Sequence, residues 1–255
     1  MITSWQKSMA EYRWNTSSFA ESYDQSAHAV HPYYLELQDW LLANLPISGE
    51  QPVIVVDLGG GSGRLMERIL DQFPAVTGVV VDQSQPFLAI AERRLARFGA
   101  RARCVLARLQ DPWEEQTGNR LAAVVSMSAI HHLLPEEKQT LYGRIAATLL
   151  PGGELLNADE VRPISDAEYR REVLLWNDHM LAGLASGTIS SEFQTAYEKW
   201  HRRNVEFPDA PRASGDDCLQ TAADQLQYFE SAGLVADLPW QKSIWGVLRG
   251  RKPLR

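Results

Sequence analysis

Four glycines crowd the end of an apolar run in Val55-Val56-Asp57-Leu58-Gly59-Gly60-Gly61-Ser62-Gly63. Glycine permits positive backbone dihedrals and the close approach of a ligand. A helix starting just beyond would add unpaired amides and the positive end of its dipole, a seat for an anion. Asp82 ends the next apolar run. It lies roughly 20 residues past the glycines, the spacing at which a carboxylate meets a ribose in doubly wound folds. His131 and His132 follow a further apolar run. Histidine titrates near neutrality, so either is a candidate catalytic group that takes a proton or orients a hydroxyl. Adjacent residues seldom point at one ion and no carboxylate cluster is expected close by, so no metal site is expected.

These groups need a scaffold that brings strand ends to one edge. Val53 to Val56, Val76 to Val81, Arg103 to Leu106, Leu121 to Met127 and Glu154 to Ala158 read as strands. The fully apolar ones fit a parallel sheet buried on both faces. Between them Leu65, Ile69, Leu70 and Phe73, then Phe87, Ile90, Ala91 and Leu95, then Leu141, Ile145 and Leu149 fall at helical spacing. Ser84 is placed to cap the second of these helices. The alternation predicts an α/β fold with a doubly wound, mostly parallel seven-stranded sheet. Before it lies a polar lead-in to residue 24 and a helix from His31 to Leu45. After it, 166–201 reads as helical, 207–215 as a loop, 220–232 as a helix ended by Gly233, and the last segments as an antiparallel strand pair. The whole is read as a single domain. It comprises an N-terminal helical lid (1–50), a cofactor-binding core (51–160), a helical cap inserted after strand five (161–215), and a closing helix and strand pair (216–255).

The glycine spacing narrows the ligand. A dinucleotide fingerprint needs Gly-x-Gly-x-x-Gly, but its last position is Arg64 counted from Gly59 and Met66 counted from Gly61. A phosphate loop needs glycine-lysine followed by serine or threonine, which is absent. What remains is Asp-Leu-Gly-x-Gly-x-Gly. With Val80 to Ser84, Val124 to Leu133 and Leu149 to Asp159, this pattern resembles the class I S-adenosylmethionine-dependent methyltransferases, a Rossmann-like family, from about Tyr23 to the C-terminus.

The resemblance implies S-adenosylmethionine as cofactor, with its amino-acid end held by Asp57 and the amides of Gly59, Gly60 and Gly61. It implies that Asp82 accepts from both ribose hydroxyls with Gln83 beside it, and that Arg108 and Leu109 meet the adenine. Most relatives carry aspartate where this chain has Arg108, which removes the usual carboxylate contact. Ser126 is implied near the methionine portion, and Tyr34 from the N-terminal segment that folds over the cofactor. Trp176, His179, Trp200, Arg202 and Arg203 are the cap residues expected to touch substrate, the two arginines as an anion site. The closing segments are also similar to carboxy-S-adenosylmethionine synthase, in which an arginine of this region grips the added carboxylate.

Composition bounds the partners. Net charge is -7, which disfavours nucleic acid and anionic membrane, both of which need a basic footprint. No zinc-finger cysteine spacing occurs, and Cys104 and Cys218 fit a reducing compartment. No signal-peptide stretch or membrane-length apolar run occurs, so a cytoplasmic protein is expected. The expected acceptor is a small molecule, methylated by in-line displacement under the cap, and the expected assembly is a monomer or homodimer. The other readings are a cofactor-modifying synthase, a non-catalytic cofactor-binding protein and a nicotinamide-dependent oxidoreductase, the last disfavoured by the glycine spacing.

Overall fold

The computed structural model describes residues 15–48 and 51–254. The remainder of the expected 1–50 lid, 1–14 and 49–50, lies outside the described residues. Seven strands form one sheet in the order β3-β2-β1-β4-β5-β7-β6. They are β1 (Val53–Leu58), β2 (Val76–Asp82), β3 (Ala102–Leu106), β4 (Leu121–Met127), β5 (Leu149–Glu160), β6 (Val235–Lys242) and β7 (Trp245–Arg251). The first five run parallel, while β7 is antiparallel to both β5 and β6. The chain winds outward from β1 in both directions. The topological switch point, where open α/β sheets bind ligands, therefore lies between β1 and β4.

The helices are α1 (Ser17–Val30), α2 (Tyr34–Asn44), α3 (Arg64–Gln72), α4 (Gln85–Leu95), the single turn α5 (Glu114–Thr117), α6 (Pro135–Thr148), α7 (Asp166–Ser186), α8 (Gln194–His201) and α9 (Ala222–Ser231). Side chains alternate across the sheet. Val55 and Val80 face one core with Leu41 of α2, Ile69 of α3 and Leu88 of α4. Val56, Val79 and Val81 face the other with Leu141 and Tyr142 of α6 and Phe229 of α9. Ser84 caps α4, its hydroxyl accepting from the Phe87 N–H.

Three expectations are corrected. The polar lead-in contains α1, whose buried stripe of Ala20, Ser22, Ser26, Ala27 and Val30 is too small and polar to read as a core face. Strand five does not begin after the Pro-Gly-Gly stop but runs through it from Leu149. The long cap helix breaks at Gly187, whose φ of 76° is left-handed, so α7 and α8 are separate. Both pack onto α1 around Val30, Met180, Ile189, Phe193 and Tyr197. No helix among the described residues is long and apolar enough to cross a membrane.

Candidate functional site

The carboxyl ends of β1, β2, β3 and β4 open into a cavity of about 390 Å3, closed on one side by α1 and on the other by Ser214 and Gly215. Tyr34, Asp57, Gly59, Gly60, Gly61, Asp82, Gln83, Arg108, Leu109 and His132 all line it. The fold thus gathers nearly every candidate cofactor residue at one place.

The glycine turn is dictated by close packing. A Cβ on Gly60 would sit 2.6 Å from the Asp57 carboxylate, and one on Gly59 would sit 2.4 Å from the Ala129 Cβ. The turn's amides are spent internally. Gly59 and Gly60 donate to the Val81 carbonyl, and Gly61 donates to Asp82 Oδ2 at 3.0 Å. They are therefore not donors to a ligand as expected; the turn contributes shape and carboxylates instead.

Asp82 also accepts from the Ser84 N–H at 2.8 Å, which fixes its plane with lone pairs left over. Burial pushes its carboxyl up to about 6, although these backbone bonds pull the other way. Asp57 is 1% exposed, and its Oδ2 has no hydrogen-bond partner. Burial, reinforced by the charge of Asp82, pushes Asp57 up to about 7. A buried acceptor without a donor is costly, and both carboxylates gain when a cavity ligand brings hydroxyl or ammonium donors. Two carboxylates at neighbouring strand ends fit the hydroxyl donors of the ribose and the ammonium of the amino-acid end of S-adenosylmethionine.

Asp24 was not legible as a site residue. It lines the cavity from α1 and accepts from Ser62 Oγ, Arg64 Nε at 2.8 Å and Arg94 Nη2 at 2.8 Å. Burial opposes its ionisation, but the bonds from Arg94, Ser62 and Arg64 outweigh it and hold the carboxyl below its usual range. These bonds fasten α1 to the glycine turn. Tyr23 and His31 line the same wall, with Tyr23 Oη 2.7 Å from His31 Nε2. Burial drives His31 down to about 3, so it is neutral at physiological pH.

The two histidines part company. His132 faces the cavity, its Nδ1 3.2 Å from the Asp216 carbonyl and 3.4 Å from Asp217 Oδ1. His131 is buried and does not line the cavity. Its backbone N–H donates to Asp159 Oδ2 at 2.8 Å, and its Nδ1 lies 2.6 Å from Asp159 Oδ1 and 2.5 Å from Glu160 Oε2. The expectation that no carboxylate cluster lies near the pair is corrected. The end of β5 and the 216–217 turn bring Asp159, Glu160 and Asp217 to it. Burial opposes the charge on His131, but Glu160 and Asp159 raise it well above its ordinary value. Burial pushes Glu160 up to about 8. Against burial, the charge and hydrogen bond of His131 hold Asp159 low. One carboxylate is therefore ionised against an imidazolium, and its neighbour keeps its proton.

Ser126 is fully buried and donates to the Leu58 carbonyl at 2.8 Å, tying β4 to β1. Met127 and Ser128 reach the cavity in its place. None of the five cap candidates lines it. Trp176 Nε1 donates to the Val30 carbonyl at 2.8 Å, with its ring edge-on to Trp200 and Trp245. His179 bonds the Ala29 carbonyl. Arg202 stacks on Phe207 and Arg203 pairs with Asp216. These aromatic and basic groups dock the cap on α1 and brace the 213–217 turn.

Residues 55–153 match the profile of a family described as the methyltransferase domain. The chain is 34% identical over 105 residues to 23S rRNA (guanine(748)-N(1))-methyltransferase of Streptomyces fradiae, covering 41% of this chain and 32% of that protein. It is 32% identical over 120 residues to carboxy-S-adenosyl-L-methionine synthase of Pseudomonas entomophila, covering 47% of this chain and 42% of that one. The chain thus spans less than half the length of either relative. In structure it resembles an O-methyltransferase family protein from Burkholderia thailandensis, with a TM-score of 0.63 at 14% identity over 99% of this chain and 63% of the other. At that identity the likeness is one of fold.

Proposed function

We propose that the chain is a class I S-adenosylmethionine-dependent methyltransferase, on the match of residues 55–153 to a methyltransferase-domain profile, and that it methylates a small molecule. The observation that carries the acceptor class is the cavity, about 390 Å3, near the lower end of the range for small-ligand sites. The net charge of -7 points the same way, since RNA binding calls for a basic footprint. Cytoplasmic location and a monomeric or homodimeric state belong to the same reading.

Bound in the cavity, S-adenosylmethionine supplies a methyl group on a sulfonium, so the protein's task is mainly alignment. Asp82 accepts from the ribose hydroxyls. Asp57 accepts from the ammonium of the amino-acid end, and Tyr23 of α1 and Tyr34 at the start of α2 wall that end. Ser126 holds β4 against β1 so that Met127 and Ser128 face the reacting region. His132 faces the acceptor and takes its proton where the nucleophile carries one, with Asp216 and Asp217 orienting the ring. His131 ties the segment that carries His132 to Asp159 at the end of β5. The cap residues Trp176, His179, Trp200, Arg202 and Arg203 act by holding α1 and the 213–217 turn in place.

The test is transfer of labelled methyl from S-adenosylmethionine to a panel of phenols, amines, thiols and activated carbon acids, alongside a 23S rRNA transcript. Label in a small acceptor supports the reading. Label in the transcript alone sinks it. A second reading, a cofactor-modifying synthase, rests on the 120-residue likeness to carboxy-S-adenosyl-L-methionine synthase. Mass spectrometry of nucleoside ligand retained through purification separates the two by the mass of the added carboxylate.

Cofactor affinity carries a pH signature. Asp57 and Asp82 are pushed up to about 7 and about 6, and their ionised forms are the ones that accept from the ligand. Below these values binding must first release protons, so affinity rises with pH. The expected gain is up to about tenfold per pH unit for each group below its pKa. S-adenosylhomocysteine should bind at least roughly tenfold more tightly at pH 7.5 than at pH 5.5, with proton release visible as a buffer-dependent heat. Affinity that is flat or falls with pH contradicts these roles.

A further inference from the structure

The cavity is also lined by Arg108, Leu109 and Gln110 after β3 and by Leu133, Ser214 and Gly215. Leu109 and Leu133 give it apolar walls suited to a flat heterocycle. Adenine presents a ring-nitrogen acceptor beside an exocyclic amine donor, so its reader needs one donor and one acceptor. A guanidinium has donors only, so Arg108 cannot accept from the amine. It is also engaged elsewhere. Its Nη2 and Nε donate to Asp111 Oδ1 at 3.0 and 3.2 Å, and its N–H donates to Asp111 Oδ2 at 3.1 Å.

The next two residues supply the pair. The Leu109 N–H makes no hydrogen bond among the described residues. Gln110 Nε2 donates to Ser214 Oγ at 3.0 Å and to Glu137 Oε1 at 3.3 Å. The Ser214 hydroxyl in turn donates to Glu137 Oε2 at 2.8 Å, so its oxygen faces Gln110 as an acceptor. Glu137 is itself anchored by the Leu134 N–H at 2.8 Å. Both neighbours of the Gln110 amide therefore demand its nitrogen, and a flipped amide would lose two bonds. The carbonyl Oε1 is left without a donor among the described residues, on a half-buried side chain at the cavity wall.

We infer that Gln110 is the specificity residue for the base: its carbonyl accepts from the adenine amine while the Leu109 N–H donates to the adjacent ring nitrogen. This replaces the carboxylate whose place Arg108 occupies, and it rests on the site being one for S-adenosylmethionine. Because Ser214 lies on the turn that closes the cavity, the same contacts couple base recognition to that turn.

The experiment is calorimetric titration with S-adenosylhomocysteine and with its hypoxanthine analogue, in which the amine becomes a carbonyl and the ring nitrogen carries a proton. The unaltered protein should prefer the adenine ligand by about tenfold or more, the scale of one mispaired polar group. Gln110→Leu should lose about tenfold in S-adenosylhomocysteine affinity and most of the preference. Arg108→Ala should leave the ratio between the two ligands in place. Full affinity and preference in Gln110→Leu, or loss of preference in Arg108→Ala alone, overturns the assignment while the cofactor reading stands. If the unaltered protein binds neither ligand, the cofactor reading fails and the assignment fails with it.

Discussion

Asp82→Ala is expected to weaken S-adenosylhomocysteine binding by about 1.5–3 kcal/mol, the scale of a hydrogen bond to a charged group. That is about ten- to 150-fold in affinity. The loss is large because the carboxylate arrives ready for its ligand. The N–H groups of Gly61 and Ser84 fix its two oxygens at 3.0 and 2.8 Å, so little ordering remains when the ribose docks. The same substitution frees Gly61, and the turn loses one of its internal ties. Asp82→Asn keeps one oxygen and should fall between the two. Unchanged affinity in a folded Asp82→Ala protein would refute the ribose assignment.

His131→Ala is expected to cost about 3–5 kcal/mol of folding stability, because it strips a buried ion pair of one partner. Asp159 and Glu160 are each 1% exposed, and His131 is the cation both carboxylates share. Glu160→Gln should cost far less at pH 7, since a carboxyl pushed up to about 8 is already neutral there. The sign of the pH dependence follows from the directions of the shifts. Folded values raised above the unfolded ones, as for His131 and Glu160, give stability that is present at lower pH and lost as pH rises through the folded values. Asp159, lowered, gives stability lost only as pH falls below the ordinary carboxylate range. The unaltered protein should therefore unfold at lower urea concentration at pH 9 than at pH 6.5. An His131→Ala protein as stable as the unaltered one would show that the cluster is held together by other contacts.

The sheet was largely legible because its signals are local. Val53 to Val56 and Val76 to Val81 are apolar without alternation, as strands covered on both faces must be. Asp57, the glycines and Asp82 follow those runs at fixed offsets, so the strand ends carry them to one edge. What was not legible depends on side chains far apart in the chain. Asp24 meets Arg64 and Arg94 across 40 and 70 residues, and Gln110 meets Ser214 across 104, with no period to announce either. Helix α1 was hidden because alanine and serine form its buried stripe. The cap aromatics sat in helical segments, a pattern that points to packing but does not tell whether the packed face meets a ligand or another helix. Here they meet each other and α1.

The central claim is that Asp57, Asp82 and the glycine turn hold S-adenosylmethionine. Its most direct test is calorimetric titration of the purified protein with S-adenosylmethionine and S-adenosylhomocysteine at pH 7.5. Saturable one-to-one binding of both, at micromolar dissociation constants, is the predicted result. Heats no larger than dilution for both ligands, from protein shown to be folded and free of retained nucleoside, would contradict it.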